Sequence, residues 1–371
     1  MTTRINISSS QGSYDVVIER GSLANSDTHL APTTNARRAL IVADEAVAST
    51  HAAAVSSSLA DNGWTLATHR LRAEEPLKRM EAVESVWHAA LELGLDRESA
   101  IVSVGGGLVG DVAGFAAATF MRGIDFIQVP TTLLAMVDAS IGGKTGINMP
   151  LPGLGVLGKN LAGAFWSPKL VLVDPHTLAS LPQRELTSGL AECVKHAIIG
   201  DPSLEECLRS SAADLAAGNL ASIDVIIEQA VNVKRLVVEA DERESGQRML
   251  LNFGHTFGHA IEPIASLDLT HGEAVAIGMQ AAAACSGRLG LASADRMSSI
   301  ERLLKCIGLP THTRESLPIA PLLEAMRYDK KAAGGRLRLV LPTEDAVVVR
   351  TDIEIADIEA AWHAVIPDPA S

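Results

Sequence analysis

Two histidines, His255 and His259, stand four residues apart in the apolar run LNFGHTFGHAIE. At this spacing both imidazoles lie on one face of a helix. A third, His271, begins the run HGEAVAIGM, and Glu192 lies within SGLAECVKHAIIG. One glutamate with two histidines can hold zinc and leave a coordination position open for substrate. The spacing does not say which histidine is spare, and core histidines bonded to backbone are the plain alternative.

The same glutamate has a lysine, Lys195, three residues further along. Residues three apart share one face of a helix, so an ion pair between Glu192 and Lys195 is expected. A surface salt bridge of little energetic consequence is the alternative interpretation. Alanine, leucine and isoleucine surround the pair, which favours burial, and a buried charge needs a partner or a purpose.

A glycine-rich turn occurs in SVGGGLVGDVAGFAAATF, residues 103–120. The pattern predicts a strand, a turn at Gly106 and Gly107, and then a helix whose N-terminus favours a phosphate. This layout is typical of a dinucleotide site, although it is not the G-x-G-x-x-G fingerprint, and a turn without a ligand is the alternative. Asp111 lies in the first helical turn, and Asp44 ends an earlier strand where it could bind a ribose hydroxyl.

A second polar segment is QVPTTLLAMVDASIGGKTGIN, residues 128–148. Thr131 and Thr132 follow a predicted strand, and Asp138, Lys144 and Asn148 come soon after. Threonine pairs are usually helix N-caps. Together with the glycine turn, the segment predicts one wall of a site.

Positive charges recur beside these motifs although the net charge of the chain is −13. Phosphate and carboxylate are the anions that such groups bind, so we expect a small polyanionic substrate. The cationic residues concerned are Arg122, Lys144, Lys159, Lys195, Lys234, Arg248 and Lys330.

Strands and helices alternate in the first half of the chain. The apolar runs at 39–44, 100–107, 125–130 and 169–174 predict strands, and the amphipathic pattern at 77–94 predicts a helix. This alternation of strands and helices indicates a mostly parallel sheet with helices on both faces, in a Rossmann-like α/β domain.

Helical patterns dominate after about residue 175. Helices are predicted at 183–199, 203–217, 220–241, 249–265, 271–289 and 293–307, with a hairpin at 337–349 and a last helix near 353–366. We therefore expect an α/β domain at 1–175 and a helical domain at 176–371.

Composition limits the function further. A chain of 371 residues predicts two domains, and the net charge of −13 argues against a general nucleic-acid binder. The sequence has no apolar run long enough for a membrane span and no apolar signal core at its N-terminus. Its cysteines have no paired spacing and are interpreted as small buried residues in a reducing, cytoplasmic compartment. These cysteines are Cys193, Cys207, Cys285 and Cys306.

The combination of motifs resembles the 3-dehydroquinate synthase family, within the sugar-phosphate cyclases. The resemblance rests on residues 105–148, on KNLAGAF, GLAECVKHAII, LNFGHTFGHAIE and HGEAVAIGM, and on DKKAAGGRLRLVLP near the C-terminus. The family's enzymes convert 3-deoxy-D-arabino-heptulosonate 7-phosphate to 3-dehydroquinate and phosphate. Transient oxidation by NAD, phosphate elimination, reduction, ring opening and an intramolecular aldol closure make up that reaction. The alternatives are a sibling cyclase of the valiolone or deoxy-inosose type, or a metal-dependent polyol dehydrogenase.

The resemblance also implies roles for residues, an NAD cofactor, a divalent zinc or cobalt ion, and a homodimer. The metal ligands would be Glu192, His255 and His271, so His259 would face the substrate instead. The catalytic group would be Lys195, Lys234, His259 and Asn252. The substrate would also contact Arg122 (from the partner subunit), Asp138, Lys144, Asn160, Arg248 and Lys330, with Lys331 as the alternative lysine. NAD would contact Asp44, Glu75, Lys78, Gly106, Gly107, Asp111, Thr131, Thr132, Asp138, Lys144, Lys159, Asn160, Ser180 and Leu181.

Two departures from the family pattern concern the NAD-contacting residues. The segment between Lys144 and Lys159 is longer than usual, through the Gly/Pro-rich loop at 150–158, which could displace Lys159 and Asn160. Ala46 stands where some members carry a polar residue, so one cofactor contact is expected to be missing.

Overall fold

The chain folds into two compact units, Met1–Leu181 and Pro182–Ser371. The computed structural model describes residues 2–151, 157–244, 246–332 and 337–368, except the side chains of 327–332. The first unit is an α/β fold and the second is mainly helical. The two fold classes predicted from the sequence are therefore confirmed.

The strands of the first unit form one large sheet and one separate hairpin. They are β1 Thr3–Ser9, β2 Gly12–Ile18, β3 Arg38–Asp44, β4 Thr65–Leu71, β5 Ala100–Gly105, β6 Asp125–Pro130, β7 Lys144–Pro150, β8 Leu157–Phe165 and β9 Leu170–Val173. The large sheet has the order β1-β2-β9-β6-β5-β3-β4, parallel except for the β1–β2 pair. Strands β1 and β2 were not predicted from the sequence, although Ile5 and Ile7 alternate with polar residues in β1.

Helices cover both faces of this sheet, because its central strands β3, β5 and β6 are mostly apolar and are buried at nearly every position. The helices are α1 Ser26–Leu30, α2 His51–Asp61, α3 Met80–Glu92 and α4 Gly107–Thr119. Ile41 of β3 packs with Val55 of α2 on one face, while its neighbour Leu40 packs with Val83 of α3 and Val112 of α4 on the other. Each such buried aliphatic side chain contributes about 1.5–3 kcal/mol to folding. The predicted layers on both faces are confirmed.

The strands β7 and β8 pair with each other and stand apart from the large sheet. Their antiparallel register shifts between Ile147 and Met149. The predicted loop at 150–158 connects them, but residues 152–156 lie outside the described part of the chain. Short turns of 3-10 or π helix complete the first unit. They are Ser22–Asn25, Glu75–Leu77, Phe120–Arg122, Ala135–Ala139 and Pro175–Ser180.

The second unit is built from packed helices and one hairpin. Its helices are α5 Gln183–Gly200, α6 Pro202–Ala216, α7 Ile223–Ala240, α8 His255–Ile261, α9 His271–Arg288, α10 Ala294–Cys306, α11 Ile319–Ala332 and α12 Ile355–His363. Its hairpin is β10 Leu339–Pro342 with β11 Val347–Arg350, as predicted. Short 3-10 turns occur at Gln247–Asn252 and Ala265–Leu267. Side chains cap several helices: Asp201 caps α6, Thr270 caps α9 and Ser293 caps α10.

The prediction of one helix at 249–265 is wrong. A 3-10 turn ends at Asn252, and Gly254 then takes a left-handed conformation with φ 80° before α8 begins. A Cβ atom at this position would lie 2.6 Å from Cγ of Met279 and 2.8 Å from the carbonyl oxygen of Val275. Close packing against α9 therefore requires glycine here, and its backbone conformation breaks the helix.

The cysteine interpretation holds only in part. The cysteines are free and Cys193 and Cys285 are buried, but Cys207 is half-buried and Cys306 is exposed at the end of α10. No helix in the described part of the chain is long and apolar enough to cross a membrane.

Candidate functional site

Helix α5 carries a buried ion pair. Glu192 and Lys195 are 0% and 1% exposed, and the Lys195 ammonium contacts the Glu192 carboxylate. Apolar neighbours such as Leu190 and Val194 are also fully buried. The pairing predicted from the i,i+3 spacing and the burial predicted from the apolar neighbours are both confirmed. A charged pair of this kind needs further polar contacts to offset its desolvation.

Two histidines bring such contacts to the carboxylate. His255 and His271 are the first residues of α8 and α9. Their Nε2 atoms lie 3.6 Å and 3.4 Å from Oε1 of Glu192. Each of the three side chains offers a ligand atom to one common point, since these atoms all lie within 4.8 Å of one another.

Both imidazoles are held at the nitrogen that faces away from Glu192. Nδ1 of His255 lies 3.2 Å from the carbonyl oxygen of Phe253, and Nδ1 of His271 lies 3.4 Å from Oε1 of Glu262. A hydrogen bond donated at Nδ1 leaves the lone pair at Nε2, which is the usual state of a metal-ligating histidine. The donor set and its orientation therefore fit a divalent cation such as zinc.

Close helix packing fixes the distance between the helices that carry Glu192 and His271. The hydroxyl of Ser188, one turn before Glu192, accepts the backbone N–H of Gly272 at 3.0 Å. A Cβ atom at residue 272 would lie 2.1 Å from the Ser188 carbonyl oxygen, so only glycine permits this approach. The Arg184 guanidinium of α5 also binds the Glu273 carboxylate, at 2.7 Å, in the first turn of α9.

His259 offers a second, overlapping set of ligands. Its ring centroid lies 5.3 Å from that of His255 and 6.1 Å from that of His271. His259, Glu262 and His271 also bring one ligand atom each within 4.8 Å of one another. His259 is exposed whereas Glu192 is fully buried, so the set that contains Glu192 is the better shielded from water.

The electrostatic surroundings of the two partly buried imidazoles, His255 and His271, differ. Burial lowers the pKa of His255 to about 3, and the Lys195 ammonium acts in the same direction. Burial also opposes protonation of His271, but the carboxylates of Glu192 and Glu262 outweigh it and raise the pKa of His271 to about 9. Without an ion, His255 is therefore neutral and His271 is protonated at neutral pH, so a bound cation would displace the proton at Nε2 of His271.

Further site residues of the second unit lie in and before the turn that precedes α8. Asp241 accepts the backbone N–H of Arg248 at 3.0 Å, and the Arg248 guanidinium donates to the Glu242 carbonyl. Nδ2 of Asn252 donates to Oε1 of Glu244 at 2.8 Å. Arg248 is buried, as is Lys234 on α7. The side chains of Lys330 and Lys331 lie outside the described residues.

In the first unit, the glycine turn lies at the carboxyl ends of β3, β5 and β6. Gly105 accepts the backbone N–H of Thr131 at 2.9 Å, and a Cβ on Gly105 would lie 3.2 Å from Cβ of Asp44. A Cβ on Gly106, the N-cap of α4, would lie 3.3 Å from Cγ2 of Thr132. Thr132 also caps the following turn, as threonine pairs commonly do. This edge of a parallel sheet is where nucleotides bind in such folds.

Lys78 is the centre of a polar cluster in the first unit. Its Nζ lies 2.5 Å from Oδ2 of Asp111 and 2.5 Å from Oδ1 of Asn160. Asn148 connects the rest, since its amide donates to Oε1 of Glu75 at 2.8 Å and its Oδ1 accepts the N–H of Asn160 at 2.9 Å. The structure thus brings together Glu75, Lys78, Asp111 and Asn160. Asn148 was noted in the sequence only as a neighbour of Lys144.

The other predicted residues of the first unit are more dispersed. Asp138 lies in the turn Ala135–Ala139, and Lys144 and Lys159 are exposed on β7 and β8. Arg122 is exposed and left-handed, with φ 71°. The hydroxyl of Ser180 lies 2.9 Å from Nε2 of His51, and Leu181 follows as the last residue of the unit.

No role was predicted from the sequence for Glu262, Ser188 or Arg184. Glu262 comes three residues after His259 and seven after His255, so spacing alone puts it on the same helical face. Ser188 and Arg184 precede Glu192 on α5 by four and eight residues, but nothing in the sequence shows that they contact the start of α9.

Known proteins match nearly the whole chain. Family models described as 3-dehydroquinate synthase N-terminal and C-terminal match residues 68–188 and 189–332. A curated 3-dehydroquinate synthase from Picosynechococcus sp. is 41% identical over 360 residues, which cover 96% of each chain.

Two solved structures of sugar-phosphate cyclases are also similar. A 2-epi-5-epi-valiolone synthase from Streptomyces hygroscopicus, described with NAD+ and Zn2+ bound, has 30% identity and a TM-score of 0.86 over 95% of this chain and 96% of that one. A 2-deoxy-scyllo-inosose synthase, described in complex with carbaglucose-6-phosphate, NAD+ and Co2+, has 26% identity and a TM-score of 0.86 over 98% and 100%. The fold, the motifs and both family models agree, and the chain belongs to the 3-dehydroquinate synthase family.

Proposed function

We propose that this chain converts 3-deoxy-D-arabino-heptulosonate 7-phosphate to 3-dehydroquinate and phosphate. The observation that carries the proposal is the buried Glu192 carboxylate with the His255 and His271 Nε2 atoms 3.6 Å and 3.4 Å away. It occurs in a chain that matches a curated 3-dehydroquinate synthase along 96% of its length at 41% identity, against 30% and 26% for the two sibling cyclases.

The residues of the second unit fit a divalent metal, zinc or cobalt. Glu192, His255 and His271 would hold it, because their donor types, burial and imidazole orientation suit such an ion. When bound, the ion supplies a Lewis acid that lowers the pKa of a hydroxyl group on the substrate.

The first unit fits NAD. Gly106 and Gly107 allow close backbone approach to a pyrophosphate at the start of α4, and Asp44 lies at the end of β3, where a ribose hydroxyl is usually bound. The Lys78 cluster would hold the turn Glu75–Leu77 against α4 and β8 beside that position. When bound, NAD supplies a hydride acceptor that later returns the hydride.

Cationic groups of the second unit suit the anionic substrate. Lys195, Lys234 and Arg248 are buried, so their charges are little screened by water and bind phosphate or carboxylate strongly. His259 and Asn252 would move and orient protons on substrate hydroxyls. The remaining proposed substrate contacts are Arg122, Asp138, Lys144, Asn160 and Lys330.

The product is the substrate less phosphoric acid, so the reaction involves no net oxidation. Purified protein with NAD and zinc or cobalt should therefore release phosphate from the heptulosonate phosphate while the NADH absorption band does not grow. Growth of that band would indicate a polyol dehydrogenase instead. Turnover of a sugar phosphate that lacks the carboxylate, in preference to the heptulosonate, would indicate a sibling cyclase.

A homodimer in the cytoplasm is the proposed state of the protein. The β7–β8 hairpin exposes three large apolar side chains, Met149, Leu161 and Phe165, by 39%, 58% and 39%, and exposed apolar surface of this kind is common at subunit interfaces. Free cysteines suit a reducing compartment. Light scattering after size exclusion should give twice the chain mass for the wild type and a smaller mass for Leu161→Glu; a monomeric wild type would contradict the dimer.

A further inference from the structure

We propose that Glu262 is a positioning residue for the metal site. Its carboxylate accepts the Nδ1 hydrogen of His271 and thereby turns the Nε2 lone pair of that imidazole towards Glu192. This inference rests on the metal site of the proposed function and adds a residue that the ligand set does not contain.

The two nitrogens of His271 meet two different carboxylates. Nε2 lies 3.4 Å from Oε1 of Glu192, and Nδ1 lies 3.4 Å from Oε1 of Glu262. An imidazole that donates at one nitrogen presents a lone pair at the other, so the partner of Nδ1 selects the tautomer. A carboxylate partner also makes the ring a more basic ligand than a carbonyl partner does. His255, by contrast, is held by the Phe253 carbonyl.

The place of Glu262 in α8 supports a role in the site rather than in the helix. It follows the last residue of α8, and its side chain is 13% exposed. The C-terminus of a helix carries partial negative charge, so a carboxylate there is unfavourable for the helix itself. Burying most of that carboxylate adds a desolvation cost. The contact with His271 offsets part of these two costs.

A direct ligand role is the competing interpretation, because His259, Glu262 and His271 also converge. In that arrangement His271 would coordinate through Nδ1 and Glu262 would hold the ion itself. His259 is exposed, and the Glu192 set lies deeper, so we place the ion with Glu192. Zinc binding by Glu192→Ala distinguishes the two arrangements, because Glu192 is a ligand only in the first and its loss would leave the second set of ligands intact.

The test compares Glu262→Ala and Glu262→Gln with the wild type. A matched control is Glu301→Gln, which removes a carboxylate that pairs with Lys305 on α10. Zinc affinity is measured on metal-free protein by competition with a chelator, cobalt binding by its absorption spectrum, and stability by thermal unfolding of the metal-free form. Glu262→Ala should bind one zinc ion with an affinity about 10–100-fold lower than the wild type. Glu262→Gln, which keeps an acceptor oxygen and the side-chain volume, should recover part of this loss.

A structural role alone would lower the melting temperature of the metal-free protein and leave the cobalt absorption spectrum unchanged, whereas a positioning role changes that spectrum whatever the change in stability. Altered cobalt absorption in Glu262→Ala, with the control unaltered, is the expected spectroscopic result. Wild-type affinity in Glu262→Ala would overturn the inference while leaving the metal site intact. Two bound ions in the wild type and one in Glu262→Ala would make Glu262 a ligand and overturn it too. A wild type that binds no zinc or cobalt would overturn both the metal site and this inference.

Discussion

Both units of the molecule contain a buried lysine that contacts a carboxylate, Lys195 in the second unit and Lys78 in the first, and the two pairs are built differently. Lys195 lies on α5 and contacts Glu192 three residues away on the same helix. Lys78 contacts Asp111, 33 residues away, and Asn160, 82 residues away. The first pair needs only a helix, whereas the second needs the strand β8 and the helix α4 to be in place already. The sequence spacing alone can thus predict an ion pair within one helix, whereas an ion pair between distant residues depends on the completed fold.

Removing the carboxylate of the local pair should have the largest effect. Glu192→Ala leaves the Lys195 charge buried without this partner, which should lower the free energy of unfolding by about 3–5 kcal/mol. It also removes a proposed metal ligand, so zinc binding and turnover should be lost. Urea unfolding and zinc titration measure the two effects.

A double variant separates stability from chemistry. Glu192→Leu with Lys195→Met replaces the buried pair by apolar side chains and should recover most of the lost stability but no turnover. If the single variant kept wild-type zinc affinity, Glu192 would not be a ligand.

Breaking the long-range pair should cost less, because Asp111 keeps 21% of its side chain exposed. Lys78→Met should lower the free energy of unfolding by about 2–3 kcal/mol, since a half-buried carboxylate loses its donor. NAD affinity, measured by calorimetry, should fall by about tenfold or more. Lys169→Met is the control in the same unit, because Lys169 is exposed and lies 3.5 Å from Asp125. If Lys78→Met and Lys169→Met bound NAD with equal affinity, the Lys78 cluster would not contribute to cofactor binding.

The glycine turn beside that cluster offers a smaller perturbation. Gly107→Ala would place a Cβ 2.9 Å from Cβ of Ala139, so the start of α4 must shift, at about 1–2 kcal/mol and with weaker NAD binding. Gly200→Ala on α5 meets no atom within 4 Å and should be neutral or slightly stabilising. Unchanged NAD affinity in Gly107→Ala would argue that the backbone there does not approach the cofactor.

The smallest effect concerns a carboxylate that joins helices rather than forming a site. Glu205 of α6 binds Arg209 at 2.6 Å and Arg296 of α10 at 3.0 Å. Burial raises the pKa of Glu205, but the two guanidinium groups outweigh it and hold the pKa below the ordinary 4.5. The carboxylate therefore stabilises the fold above that pH, and its contribution is lost as the pH falls through the lowered pKa.

Glu205→Gln should consequently cost on the order of 1 kcal/mol at neutral pH and nothing in strong acid. Urea unfolding of wild type and variant between neutral and acidic pH should give curves that converge on the acid side. Glu301→Gln, which removes a more exposed pair, should show a smaller difference. A difference for Glu205→Gln that grew in acid would reverse the assigned sign.

Local patterns predicted most of the secondary structure. The elements that lie within a few residues of their predicted bounds are the strands β3, β5, β6 and β9 and the helices α5, α6, α7, α9 and α10. Each has an apolar pattern over most of its length, and α6, α9 and α10 also begin at a side-chain N-cap. The break at Gly254 could not be predicted in this way. It results from close contact with Met279 and Val275 of a different helix.

The sequence predicted more of the contacts among site residues in the second unit than in the first. Glu192 and Lys195 could be paired from spacing, and the approach of His255 and His271 to Glu192 agrees with the ligand set that the family resemblance implied. The contacts around Asn148 and Asn160 could not be foreseen, since they depend on how β7 and β8 pair across a loop of unusual length. The assignment of individual residues to NAD, metal and substrate stays a prediction until ligands are bound.

The contact between Ser188 and Gly272 limits how this metal site can be altered. A library that randomises residue 272 should return only glycine among folded variants, even under selection for a different metal, because any side chain would force α5 and α9 apart. The choice of residue at position 272, next to His271, is therefore limited by the space between the two helices and not by metal chemistry. Redesign of the coordination geometry would have to begin with the spacing of the two helices, and only then exchange the ligands.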